Sequence, residues 1–591
     1  MGIDNNLKWE PVKGQIMTKW AKDVDPNNPL PDYPRPQFRR KEWMNLNGLW
    51  NYAILPKEKE MVNSYDGKIL VPFPIESALS GVSKKLRPLQ NLWYQRHFKI
   101  PFTWKGMKIL IHFGAVDWEM AIWINKKEIG THRGGYTPFY FDITEYVQIQ
   151  NDNEIIIRVS DPTNKGNQGR GKQTLNPGAI FYTAVSGIWQ TVWLEPVPKT
   201  FIKFIQMIPD IDEQTLNLDF DIENPQPHDF LHLEIKDLDN IILSYQQEFN
   251  SNLKFNIPSP KLWTPKNPFL YDLTVKLLRD AIIIDEIDSY FGMRKIGLGK
   301  PENGIQQIEL NNKPLFQYGT LDQGYWPDGL YTAPTDEALS YDIEITKELG
   351  FNMIRKHVKV EPARWYYHCD KVGILVWQDM PNGGTIMLDP AKEIEEFKNK
   401  KRDEQEKLEY YNELEDMIKN LFNSPSIVVW VPFNEGWGQF DTELVVERIR
   451  KLDGTRLIDS ASGWFDQGVG DIYDCHNYPT PKMPVLKKIG DRAAVVGEFG
   501  GLGLEIHDHM WNMRSKFVYR NYDDPNSMIT MYGKLISTLK KLIGKGLTAA
   551  IYTQITDVEG EVNGLLTYDR KVIKIDQNQL TELNLSLHQL E

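Results

Sequence analysis

Residues 426–437, Ser-Ile-Val-Val-Trp-Val-Pro-Phe-Asn-Glu-Gly-Trp, carry the pattern on which the fold turns. The apolar run 427–433 is too continuous for a strand with one wet face. It reads as a strand buried on both sides, and it ends abruptly in Asn434 and Glu435. Similar short runs recur on both sides of it: 352–355 (NMIR), 374–377 (ILVW), 456–459 (RLID), 471–474 (DIYD), 494–497 (AVVG) and 549–552 (AAIY). Helical patterns lie between them, near 362–371, 404–420 and 442–451. With 314–317 (PLFQ) as the first, eight strands are counted, and eight strand–helix units over nearly 300 residues predict a (β/α)8 TIM barrel. A doubly wound open sheet is the alternative, but no GxGxxG turn follows an early strand.

Upstream the pattern differs. Runs such as 93–98 (WYQRHF), 121–124 (AIWI) and 155–159 (IIIRV) are separated by Asn47-Gly48, Asp66-Gly67 and Gly134-Gly135. They predict a β jelly-roll sandwich. Strict alternation at 230–235 (FLHLEI) predicts a smaller immunoglobulin-like β-sandwich of seven strands. The chain is therefore read as multi-domain: a jelly roll over 1–198, an immunoglobulin-like sandwich over 199–297 and the barrel over 298–591.

Composition excludes several classes. Of the 591 residues 41% are hydrophobic and 25% charged, so the chain is not disordered. The net charge of −12 argues against nucleic acid as a partner. No apolar run approaches the ~20 residues a membrane-spanning helix needs. Cys369 and Cys475 are too few for a disulfide framework and lack a CxxC partner, so no structural zinc site is expected. The first ten residues lack a basic stretch followed by an apolar one, which leaves a cytoplasmic chain or an already processed one. The charge-dense stretch 392–420 reads as a solvated helix face. Oligomeric state is not legible.

In a TIM barrel, function sits at the C-terminal ends of the strands. The polar residues there are Asp322, Trp326, Arg355, His357, Asp379, Asn434, Glu435, Trp464, His476, Tyr478 and Glu498. Glu435 and Glu498 stand out, because two carboxylates across one pocket are what glycoside hydrolysis needs: one protonated, one ionised. The competing reading makes either one an ion-pair partner of Arg355. His357, Asp379, His476 and the pair His507 and His509 are nominal metal ligands, but no HExxH or comparable spacing occurs, and no catalytic metal is expected. Serine chemistry lacks a GxSxG.

These residues resemble glycoside hydrolase family 2, which includes β-galactosidases, β-glucuronidases and β-mannosidases. The resemblance rests on 434–438 (NEGWG), 497–500 (GEFG), 43–52 (WMNLNGLWNY), 114–118 (GAVDW), 130–138 (GTHRGGYTP), 186–194 (SGIWQTVWL), 262–271 (LWTPKNPFLY), 291–296 (FGMRKI), 310–319 (LNNKPLFQYG) and 369–379 (CDKVGILVWQD). It implies Glu435 as acid/base, Glu498 as nucleophile, Asn434 on the sugar 2-hydroxyl, Tyr478 orienting the nucleophile and Arg355 behind it. It also implies retention of configuration, with carboxyl groups about 5–5.5 Å apart. His357, Asp322, Trp326, Trp464, His476 and Asp379 remain as candidate substrate contacts.

The chain departs from the family in three places. The Asn-x-Lys with which family glucuronidases read a sugar carboxylate is absent: 561–565 is EVNGL, and Asp557, Glu559 and Glu561 would repel an anion. The tryptophan under galactose is replaced by Tyr552-Thr553-Gln554. The Asp-Glu pair of the family's magnesium cluster is Gln378-Asp379, so no cofactor is required and magnesium lacks a supporting pattern. The resulting expectation is a retaining exo-β-glycosidase, β-galactosidase-like, acting on an oligosaccharide or glycoside. The alternatives are another neutral glycone (a β-galactofuranoside, arabinofuranoside or mannoside) or a non-catalytic carbohydrate-binding protein. The jelly roll is read as packing against the barrel and shaping the pocket rim.

Overall fold

Each of the three hydrophobic patterns folds into its own layer system. The computed structural model describes residues 9–300, 306–384, 402–512 and 516–589. In the first sandwich, strand Asp152–Ser160 buries every second residue, and Ile155, Ile157 and Val159 turn inward. This strand lies in a six-stranded antiparallel sheet that faces a four-stranded one built on Lys108–Phe113 and Val192–Val197. Trp50, Tyr94, Phe113 and Ile122 fill the space between them. The second sandwich pairs a three-stranded sheet (Phe201–Asp210, Thr215–Glu223, Asn252–Asn256) with a four-stranded one (Asn240–Glu248, Phe230–Asp237, Tyr271–Arg279, Ile282–Phe291), giving seven strands.

The third unit is a parallel eight-stranded sheet wound into a barrel. Its strands one to eight are Gln317–Asp322, Met353–Lys356, Leu375–Asp379, Ile427–Val431, Leu457–Ile458, Ile472–Asn477, Ala493–Gly500 and Leu547–Thr553. The hydrogen-bonded order is five-four-three-two-one-eight-seven-six, all parallel. Strands three, four and seven are buried at every position, as expected of strands with helices outside and side chains within. Between strands five and six the ladder opens. Asp471 bridges the gap: its backbone N–H donates to the carbonyl of Ile458, and its carboxylate accepts from the Ile458 N–H.

Helices Ala363–Val372, Glu404–Leu421 and Thr442–Leu452 lie where the sequence places them. Glu404–Leu421 opens with a reciprocal capping box between Asp403 and Glu406. Of the charge-dense stretch, residues 392–401 lie outside the described residues. One expectation is corrected. Strand one does not start at Pro314: Lys313–Pro314 closes a small hairpin with Gln307–Leu310, and the barrel strand begins at Gln317. An apolar run continued across both elements and hid the turn. Among the described residues, no helix is long and apolar enough to cross a membrane.

Trp377 stands in the barrel interior with Leu321, Met353, Val429 and Ile551, without solvent exposure. Its indole N–H donates to Gln317 Oε1 at 2.6 Å. Trp377→Ala leaves a cavity and an unpartnered amide. Urea unfolding should show a loss of about 3–5 kcal/mol.

Candidate active site

Glu435 follows strand four through Asn434 and sits with φ +50°, in the left-handed region that costs a non-glycine residue energy. The conformation is pinned, since the Glu435 N–H donates to the carbonyl of Ser462 at 2.9 Å. Glu498 lies inside strand seven and is buried. One carboxylate oxygen of each, together with a ring nitrogen of His476, lie within 4.8 Å of one another.

Arg355, at the end of strand two, has no solvent exposure. Its Nε and Nη2 make a two-point contact with Asp379 at 3.0 Å each, Nη2 also donates to Asn434 Oδ1 at 2.8 Å, and Nη1 donates to Glu498 Oε1 at 3.4 Å. Asp379 further contacts His357 Nδ1 at 2.9 Å. Burial, reinforced by the charge of Lys172, lowers His357 to about 4 and keeps the ring neutral. Asn434 is buried, and its Nδ2 has no hydrogen-bond partner among the described residues.

The nucleophile candidate is held from the other side by Tyr478. Its hydroxyl donates to Glu498 Oε2 at 2.5 Å and lies 2.8 Å from Thr553 Oγ1. Burial works to raise the Glu498 carboxyl, but His476 and Arg355 outweigh it and hold it down at about 2. His476 Nδ1 lies 2.8 Å from Glu435 Oε1 and 3.6 Å from Glu498 Oε2. Trp464 leans on the His476 ring at 6.4 Å. The structure thus brings together Glu435, Glu498, Asn434, Arg355, His357, Asp379, His476, Tyr478 and Trp464.

Two expected residues are engaged elsewhere. Asp322 accepts from Lys356 Nζ at 2.6 Å and from the Gly324 N–H at 2.8 Å. Trp326 is buried in a seam with Trp20 and under the Arg570 guanidinium at 4.1 Å. His509, one of the nominal metal ligands, pairs with Asp569.

Several members of the site had no motif to announce them. Ser462, Asp474 and Asp459 stand behind His476, and Tyr519 stacks flat on Tyr478 at 3.6 Å. Asp474 did have a signal: it lies two residues from His476 on one strand, hence on one face. The jelly roll also reaches the mouth. A Cβ on Gly171 would meet the Val358 carbonyl at 2.5 Å, so only glycine lets this loop lie against the barrel. It delivers Lys172, buried, with Nζ 5.6 Å from the Tyr182 ring centre and no acceptor or ion-pair partner for Nζ among the described residues. Tyr182 donates to Glu561, and the Thr183 N–H donates to Glu559 at 2.9 Å. Of the three acids expected to repel an anion, Asp557 is neutralised by Lys574 at 2.6 Å, and burial raises Glu559 to about 7.

A metal fits poorly. Where the family's magnesium cluster has Asp-Glu, Gln378 has its carbonyl on Tyr366 OH at 2.6 Å, and both oxygens of Asp379, at the glutamate position, face Arg355. His476 faces a carboxylate with one nitrogen and a serine hydroxyl with the other, while Arg355 Nη1 stands 3.5 Å away.

Three family models match in succession: the sugar binding domain of glycosyl hydrolases family 2 over 69–198, a second domain of that family over 200–294 and its TIM barrel domain over 306–495. A β-galactosidase of Thermoanaerobacter pseudethanolicus is 28% identical over 74% of this chain and 56% of its own length. A β-glucuronidase of Bacteroides fragilis is 24% identical over 66% of this chain and 56% of its own. The chain thus spans a little over half of these curated relatives. The β-D-glucuronidase structure of Dictyoglomus thermophilum shares the fold, with a TM-score of 0.74 and 20% identity over 93% of this chain and 98% of its own. With all three domain models matched in order and a carboxylate pair at the strand ends, the chain belongs to glycoside hydrolase family 2.

Proposed function

We propose that this chain is a retaining exo-β-glycosidase working through a glycosyl-enzyme. The observation that carries the reading is the approach of Glu435 and Glu498 oxygens to within 4.8 Å, which suits direct attack rather than a water between them. Glu498, held ionised, attacks the anomeric carbon while Glu435 protonates the departing oxygen. In the second half Glu435 takes a proton from water, and the water displaces Glu498 from the opposite face, the one the first oxygen left. The Nδ2 of Asn434, without a partner among the described residues, is a ready donor for the sugar 2-hydroxyl, and Arg355 fixes which way that amide points. Tyr182 and Thr183 of the jelly roll bind Glu561 and Glu559 beyond strand eight, a contact that supports a site closed on that side.

For the glycone, the reading is a neutral, β-galactoside-like sugar. The chain lacks the Asn-x-Lys of the glucuronidases, and the 28% identical relative is named a β-galactosidase. One observation favours a second reading: Lys172 is a buried cation at the mouth without a carboxylate partner among the described residues, and it would suit a uronic acid.

The test is a panel of p-nitrophenyl β-glycosides, pyranoside and furanoside, neutral and uronic. Glu498→Ala and Glu435→Ala should each lower kcat/KM by at least ~10³-fold on the active member. Glu498→Ala with full activity would remove the nucleophile assignment. Turnover of the glucuronide alone, lost in Lys172→Met, would replace the galactoside reading with the uronide one.

The charges also set a pH dependence. Glu498 is lowered from 4.5 to about 2, so its contribution to stability is present above 4.5 and lost as pH falls through about 2. His476 is raised from 6.5 to about 10 by Glu498, Asp474 and Glu435 against the cost of burial, so its contribution is present below 6.5 and lost as pH rises through about 10. The urea-midpoint advantage of wild type over Glu498→Gln should therefore peak between 4.5 and 6.5 and shrink on both sides. An advantage that does not change with pH would show that Glu498 is not held by these charges.

A further inference from the structure

The hydrogen bonds behind His476 run in one direction. Asp474, buried, accepts from the Gly497 N–H and, through Oδ2, from Ser462 Oγ at 2.5 Å. A serine hydroxyl has one proton, and here it goes to Asp474. Ser462 Oγ must then accept from His476 Nε2, 2.9 Å away, so Nε2 carries a proton. The other nitrogen, Nδ1, faces Glu435 Oε1 at 2.8 Å. Behind Asp474 stands Asp459, buried, with its carboxyl within hydrogen-bond reach of Asp474 and no other described group donating to it. Burial and the neighbouring Asp474 raise it well above the usual carboxylate range, so it is a protonated acid beside an ionised one. The charged groups around His476 are Glu435 from the loop after strand four, Asp474 on its own strand, Glu498 on strand seven and Arg355 on strand two, 3.5 Å from Nε2.

We propose that His476 is a positioning residue for Glu435: Ser462 and the Asp474–Asp459 pair fix its Nε2 as a donor, and its Nδ1 holds and stores the proton that Glu435 delivers. In the resting site the proton rests on Nδ1 and is donated to the Glu435 carboxylate. When it crosses, the N–H bond breaks and the Oε1–H bond forms, leaving neutral imidazole with its proton on Nε2 and a carboxylic acid ready for the departing oxygen. In the second half the proton that Glu435 takes from water returns to Nδ1. The role rests on the double-displacement reading, and it gives Asp459 and Asp474 a reason to be buried where a carboxylate is costly.

The test uses the full chain. With nitrogen-15 histidine, wild type at neutral pH should show both His476 ring nitrogens protonated, and Asp474→Asn should lower the pH at which Nδ1 loses its proton. This readout needs no substrate. In kinetics, His476→Gln should lower kcat/KM about 100-fold for an alkyl glycoside, whose departing oxygen needs a proton, and less than about threefold for the dinitrophenyl glycoside, whose does not. Asp459→Asn keeps a neutral donor toward Asp474 and should retain the wild-type pH profile, whereas Asp459→Ala should not. A neutral His476 in wild type, or an equal loss on both leaving groups, overturns the inference. Either result is separate from activity surviving in Glu498→Ala, which would instead remove the double displacement itself.

Discussion

A guanidinium sealed inside a barrel must find acceptors for its donors within the protein, and Arg355 organises the site by that requirement. Its two-point contact with Asp379 ties strand two to strand three, its bond to Asn434 reaches the end of strand four, and its contact with Glu498 reaches strand seven. The fork is rigid and always charged, so these acceptors are fixed relative to one another. Asn434 is left with its amide nitrogen facing away from the guanidinium, and Glu498 is held ionised in a place where burial alone would protonate it. Ion-pair partner of Arg355 and member of a carboxylate pair are therefore not competing readings of Glu498: the first is the physical condition for the second.

Much of this was legible in the sequence, because strand ends in a parallel barrel are local signals. The run 427–433 had to stop at a polar residue somewhere, and it stops at Asn434 and Glu435. Glu498 likewise interrupts the apolar strand seven. The two sandwiches were legible from alternation, since Leu231, Leu233 and Ile235 bury on one face as period two requires. What local reading lacked was the partner across the fold. Asp322 ends strand one as a site residue would, yet Lys356 on the neighbouring strand neutralises it. Trp326 has the composition of a sugar platform and the surroundings of a core residue. Strand one was displaced because the apolar run 314–316 leads from the end of the hairpin into the barrel strand without a break.

The jelly roll illustrates the same limit from the other side. Residues 168–172 carry no chemical motif, but Gly169 and Gly171 lie where a Cβ would strike Glu413 and the Val358 carbonyl. The missing side chains let the loop lie against the barrel, and the loop brings Lys172 with it. A cation at a barrel mouth can thus come from a loop of another domain, and it is visible only after the two surfaces are in contact. The repulsion expected of Asp557, Glu559 and Glu561 weakens for the same reason: Lys574 and the jelly-roll segment at Tyr182 and Thr183 are the groups that face them.

The opening of the ladder between strands five and six gives the site its asymmetry. Where strands two, three and four are stitched by a backbone ladder, strands five and six are joined by a backbone bond and by side chains, Asp471 to Ile458 and Ser462 to Asp474, and Asp474 reaches on to the Gly497 N–H of strand seven. A Cβ on Gly497 would lie 1.9 Å from Asp474 Oδ2, so the glycine before Glu498 is a consequence of the acid network and not of the turn. Charge is arranged accordingly. Arg355 enters from the closed side and serves Glu498, while His476 enters from the open side and faces both acids, Glu435 at 2.8 Å and Glu498 at 3.6 Å. Two carboxylates this close would otherwise compete for one proton. In the proposed double displacement a permanent cation contacts Glu498 and a titratable ring stands between the two acids, an arrangement that would divide their roles.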